Sequence, residues 1–128
     1  MLILPPSVRL FVATEPVDGR KGADSLMVIV RDVFGHDPLS GHLFIFFSMR
    51  RDRVRIVYWD RNGFATWTKR LERGRFTLSF GTEAKHLSPI EAAELSLILE
   101  GIDLAGARRR PRWTPSPKAT SPQPALNP

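Results

Sequence analysis

The chain has no cysteine among its 128 residues, which excludes a disulfide framework and any thiolate metal site. Histidine is scarce as well: His36, His42 and His86 stand far apart, without the spacing of metal ligands. No apolar run approaches the roughly 18 residues that mark a membrane span. The opening MLILPPSVRL has neither a basic leader nor an apolar stretch long enough for a signal peptide. Walker and dinucleotide glycine motifs are missing, and so is a GxSxG elbow. These absences leave a cytoplasmic protein as the default expectation, with no membrane partner, no cofactor, no metal ligands and no catalytic residues to name.

What is present is the composition of one ordinary globular domain, 42% hydrophobic and 25% charged. The net charge of +6 is unevenly spread. Residues 106–128 hold Arg108, Arg109, Arg110, Arg112 and Lys118, six prolines and no acid. Such a segment cannot offset the entropy of ordering, so it is expected to be a disordered tail. Residues 1–105 are expected to form a single domain, nearly neutral, with 14 basic and 13 acidic residues.

The stretch 41–74 organises the rest. Residues 43–48 are apolar on both alternating faces, as in a covered central strand. Residues 53–59 and 64–71 read as two further strands, rich in β-branched and aromatic side chains. Between them Asp60-Arg61-Asn62-Gly63 signals a hairpin, with Asn62 and Gly63 expected to supply the positive φ angles of a type I′ turn. Upstream, residues 8–14 read as a strand. Apolar residues at 23, 26, 27, 30, 33 and 34 predict a helix over 22–34, closed by Gly35. Downstream, alternation predicts a strand over 75–80. Ser88, Pro89 and Glu91 form a capping pattern for a helix running to about residue 100, with a core stripe of Ile90, Ala93, Leu97 and Ile98. The expected fold is α+β: a four- to five-stranded, mostly antiparallel sheet with two helices packed on one face, followed by the disordered, basic, Pro-rich C-terminal tail.

Charge supplies the functional signal. Between Arg50 and Arg75 there are nine basic residues against three acidic ones, with Tyr58, Trp59 and Trp67 among them. Arginine and lysine interleaved with aromatics on an exposed sheet face suit phosphate contacts and base stacking. The same pattern also suits a solvated face whose cations guard an edge strand. The candidate nucleic-acid-binding residues here are Arg51, Arg53, Arg55, Trp59, Arg61, Trp67, Lys69, Arg70, Arg73 and Arg75, and Arg108, Arg109 and Arg110 in the tail. Arg20 and Lys21 join them, because two cations beside the free amides of a helix start can hold a phosphate; alternatively they pair with Asp18 and Asp24. Asp37, Asp52, Asp60 and Glu72 are the carboxylates that a metal-dependent nuclease would use.

Four segments carry a family resemblance: VRLFVATEPVDGRKGADSL, DPLSGHLFIFF, RRDRVRIVYWDRNGFATWTKRLERGRF and LSPIEAAELSLILEGID. Together they span roughly residues 5–104, and the WDxNGF and KRLExGRF portions are the most specific. In these the chain resembles the TnpB accessory proteins of the IS sixty-six family of bacterial insertion sequences, which are distinct from the RNA-guided nucleases sharing the TnpB name. Gly19 stands where the family's DMRKG motif usually has methionine. The resemblance implies an accessory role in transposition, beside a separate DDE-type transposase and the element's other accessory protein. A non-catalytic DNA-binding module, with the element's terminal repeats as a candidate target, is the reading taken forward. Its alternatives are a protein-interaction module docking on the transposase and, third, the metal-dependent nuclease. Oligomeric state is not indicated.

Overall fold

The computed structural model describes residues 5–77 and 86–100. Its elements are β1 (Leu10–Ala13), α1 (Ala23–Asp32), β2 (Leu43–Phe47), β3 (Arg53–Asp60), β4 (Gly63–Arg70), β5 (Leu87–Ile90) and α2 (Ala92–Leu99). The five strands make one sheet in the order β4-β3-β2-β1-β5. β1 and β2 are parallel, and the other three pairings are antiparallel. A parallel pair needs a crossover, and the segment containing α1 supplies it.

The central strand explains the layering. All five residues of β2 are buried, and its pleat sends Leu43, Ile45 and Phe47 to one face and Phe44 and Phe46 to the other. Both faces therefore need a cover. Leu26, Met27 and Val30 of α1 pack on Phe11, Ala13, Phe44, Phe46 and Val57. Leu95, Ile98 and Leu99 of α2 pack on Leu10, Val12, Leu43, Ile45, Phe47, Val54 and Ile56. The helices thus lie on opposite faces and not on one, a correction to the expected arrangement. A sheet apolar on both sides would otherwise leave one row of phenylalanines or leucines in water, at about 1.5–3 kcal/mol for each large side chain.

Three local expectations also change. Residues 87–90 pair antiparallel with β1 instead of opening the last helix. Pro89, which has no N–H, is tolerated there because β5 is an edge strand. The capping box moves to Glu91 and Glu94, whose side chain accepts the Glu91 N–H at 2.8 Å. The buried stripe of α2 becomes Leu95, Ile98 and Leu99, while Ala93 is exposed. The hairpin forms as expected, but Asp60 is opposite Gly63, so Arg61 and Asn62 make the loop. Arg61 carries the positive φ of 62°, and the Asn62 N–H returns to the Asp60 carbonyl at 2.6 Å, as in a γ-turn. Residues 75–77 are not a strand; Phe76 nonetheless enters the core beside Phe47, ring centroids 5.4 Å apart. The remainder of the 75–80 segment and the whole tail lie outside the described residues.

The end of α1 follows its sequence. Gly35, at φ 72°, turns the chain so that the His36 N–H reaches the Val30 carbonyl at 3.0 Å. No helix among the described residues is long and apolar enough to cross a membrane.

Candidate nucleic-acid interface

The strands run between two ends. At one, the turn between β2 and β3 is braced on all sides. Ser48 N–H donates to the Arg53 carbonyl at 2.9 Å, and Arg51 N–H to the Ser48 carbonyl at 2.8 Å. The Ser48 hydroxyl donates to Asp52 Oδ1 at 3.1 Å and accepts the Arg53 N–H at 3.2 Å. The carboxylate of Asp52 is thus held by a serine. Beyond β4, the chain folds back on this turn: Leu71 N–H donates to the Asp52 carbonyl at 2.7 Å and Phe76 N–H to the Arg51 carbonyl at 2.6 Å. Arg75 is thereby placed next to the residue bonded to Arg51, and Arg73 lies on the loop between the two bonds. Arg51 itself is held at φ 60°.

A second segment joins them from far back in the chain. Val17 bridges to Ser48 in parallel, keeping the loop after β1 alongside the end of β2. The Arg55 guanidinium donates to the Asp18 carbonyl at 3.3 Å and to the Lys21 carbonyl. Arg55 therefore clamps the loop just ahead of α1. Burial first, and the neighbouring Arg53 charge second, lower its pKa, with Asp18 opposing. On the loop, Arg20 makes a two-pronged pair with Asp18, Nη2 to Oδ2 at 3.0 Å and Nε to Oδ1 at 3.2 Å. Those bonds and the Arg20 N–H hold the Asp18 carboxyl at about 2. Arg20 is thus paired as the alternative reading had it, while Lys21 is exposed.

The strand register decides the rest. Arg53 is directly opposite Arg70, both exposed. Like charges in that relation repel, and among the described residues Glu72, 3.8 Å from Arg70, is the one carboxylate paired with either. Lys69, one residue earlier on β4, projects from the other face and donates to the Leu99 carbonyl at 3.1 Å, capping the end of α2. Among the described residues, Arg50, Arg53, Arg73 and Arg75 form no ion pair.

The aromatic candidates lie elsewhere. Trp59 is opposite Phe64 near the hairpin, centroids 5.2 Å apart. Trp67 packs on the core of the α2 face. They occupy opposite faces of the sheet, so they do not form one stacking surface with the arginines. Arg61 sits at the hairpin tip, about 25 Å from Arg53 along an eight-residue strand. What the sequence reading missed is Met49, 68% exposed on the braced turn between Ser48 and Arg50. An apolar residue beside Arg50-Arg51 in a turn was the available signal. Arg108, Arg109 and Arg110 lie outside the described residues.

The four carboxylates considered for a nuclease do not converge. Asp52 and Glu72 belong to the braced end, whereas Asp60 lies at the hairpin and Asp37 accepts the Leu39 N–H of its own turn at 2.9 Å. Among the described residues no three His, Asp or Glu are grouped to hold a metal. The histidines serve packing: His36 lies 4.6 Å from the Phe11 ring, His86 lies 6.2 Å from Phe34, and His42 Nδ1 accepts the Arg9 N–H at 3.0 Å.

The geometry defines a small mixed-sheet protein with one basic, cross-braced end and no assembled catalytic group among the described residues. The chain belongs to the family described as IS66 Orf2 like protein, whose model matches residues 8–109. Two proteins of Sinorhizobium fredii (strain NBRC 101917 / NGR234) are similar to it. With the uncharacterized protein y4jC it shares 38% identity over 110 residues, covering 85% of this chain and 92% of the relative. With the uncharacterized protein y4hO it shares 38% over 104 residues, covering 80% and 88%. No solved structure matches. Membership gives an accessory role in the transposition of an insertion sequence, as the sequence resemblance implied.

Proposed function

We propose that the protein is a non-catalytic DNA-binding accessory module that acts beside the element's transposase and its other accessory protein, with the braced end of the sheet as the DNA surface. The observation that supports this most is the Arg53–Arg70 pair, two exposed guanidiniums set directly opposite one another on neighbouring strands. Their repulsion is relieved when a phosphate lies between them. Around this pair the fold gathers Lys21, Arg50, Arg51, Arg73 and Arg75 from three other segments. Met49 stands among them as the apolar group available to press on a sugar or a base edge, the part assigned by sequence to Trp59 or Trp67. Arg55 and Lys69 contribute by holding the loop and α2 in place, and Arg61 has no part in the surface.

Fluorescence anisotropy of the full-length chain on a labelled duplex from the element's terminal repeat, run over a salt series beside a scrambled duplex, tests the reading. Affinity is expected to fall steeply with salt, and Arg53→Ala/Arg70→Ala to flatten the slope by about two. Arg61→Ala is expected to change neither. Binding that ignores the double substitution would move the nucleic-acid signal away from this end; no binding to either duplex would favour docking on the transposase.

A further inference from the structure

We infer that the outer edge of β4 is a self-pairing surface, through which two copies of the chain join their sheets into one. β4 is the longest strand at either margin of the sheet, eight residues, and no described strand covers its far side. The opposite margin is β5, four residues with a proline. Long open edges are ordinarily blunted by charge, proline or a bulge. β4 has no proline, and it pairs with β3 residue for residue without interruption. Of its two cations, Lys69 is drawn back onto the Leu99 carbonyl, and Arg70 stands at the last residue of the strand, which leaves the edge from Gly63 to Thr68 without a charge.

The register shows which groups the edge offers. Leu71 N–H bonds to the Asp52 carbonyl, and hydrogen-bonded pairs alternate along an antiparallel ladder. Gly63, Ala65, Trp67 and Lys69 therefore direct their amides and carbonyls to β3. Phe64, Thr66, Thr68 and Arg70 direct theirs outward. In an antiparallel pair about a two-fold axis perpendicular to the sheet, facing residues keep the same face. Centring that axis on Trp67 satisfies all four outward residues at once: Phe64 faces the second copy's Arg70, and Thr66 faces its Thr68. No like charges meet within the strands. Pairing about Thr66 instead leaves Arg70 without a strand partner, and parallel pairing sets like cations side by side. The arrangement also brings the Asp60 end of one copy beside the loop carrying Arg73 and Arg75 in the other. Self-complementarity of this kind fits a second copy and not an unrelated strand.

Joined this way, the two braced ends point in opposite directions. Taken with the proposed function, the dimer is arranged to hold two separate duplex segments.

Because the chain contains no cysteine, engineered thiols report the pairing directly. The full-length chain is expected to double its mass with concentration in sedimentation velocity. Thr66→Cys and Thr68→Cys proteins, mixed under mild oxidation, are expected to crosslink several-fold more than either alone, since hydrogen-bonded partners sit within reach of a disulfide. Thr66→Pro removes an outward donor and is expected to weaken dimerisation by about tenfold or more. A monomer throughout, or equal crosslinking in all samples, overturns the inference. Preferential crosslinking of Thr66→Cys with itself overturns the register centred on Trp67. Circular dichroism checks that Thr66→Pro remains folded; if it does not, the crosslinking result decides.

Discussion

The same strands pass through both ends of the sheet, yet the two ends differ in nearly every respect. At the hairpin end Arg9 and Arg61 stand against Asp37, Asp60, Glu91 and Glu94, and the chain turns through a two-residue loop. At the braced end Lys21, Arg50, Arg51, Arg53, Arg70, Arg73 and Arg75 outnumber Asp18, Asp52 and Glu72. Its turn is tied by bonds to both flanking segments, and the loop before α1 is clamped across it. Holding so many cations together is unfavourable unless covalent neighbours and backbone bonds oppose the repulsion. The hairpin end needs no such support. The contrast teaches that the bracing and the charge belong together: one end is organised to keep like charges close, and the other only to reverse the chain.

The largest expected effect erases the contrast by removing what both ends share. Phe44→Ala empties a fully buried site beneath α1 and should cost about 3–5 kcal/mol, read by denaturant unfolding, with both ends lost in one transition. Arg53→Ala/Arg70→Ala acts on one end only. Duplex affinity at low salt should drop by tens of fold, while unfolding stability rises by about 0.2–1 kcal/mol as the facing cations are removed. A loss of stability instead would mean the pair is structural. Arg55→Ala separates support from contact. It lies two residues along β3 from Arg53 and should lower stability by about 1–2 kcal/mol through its lost bonds to the loop. Its salt slope should remain near that of the unaltered protein. Gly74→Ala forces a side chain on a residue at φ 77°, and should cost about 1 kcal/mol. Amide exchange at residues 71–76 should rise, and none of the hairpin amides should follow.

The smallest effect is a pH response confined to the braced end. Asp18 has its pKa at about 2, lowered chiefly by its hydrogen bonds from Arg20. A depressed carboxylate pKa stabilises the fold above the unfolded value, and the contribution is lost as pH falls from about 4 toward 2. Because the carboxylate is exposed to solvent, the change should appear as local loosening of residues 18–21 in proton-exchange measurements. The hairpin end should stay unchanged over that range.

Much of this was legible from the residues alone, because it is local. The double-sided burial of residues 43–47, the first strand and the first helix follow from side-chain periods of 2.0 and 3.6, and the hairpin from its turn residues; none of these needs a partner to be read. The excess of arginine between residues 50 and 75 is equally plain. Tertiary structure decided what each of those cations does. Arg55, Arg53, Lys69 and Arg70 look alike in the chain. They become a loop clamp, a surface charge, a helix cap and a surface charge because Asp18, Lys21 and Leu99, 30 to 37 residues away, lie against two of them. The same holds for Ser88 and Pro89, whose capping pattern gave way to an edge strand because β1 had an unpaired side. Residue order determines which segments bury apolar surface. Only their packing determines which polar groups are left facing water, because that depends on which segments come to lie against one another.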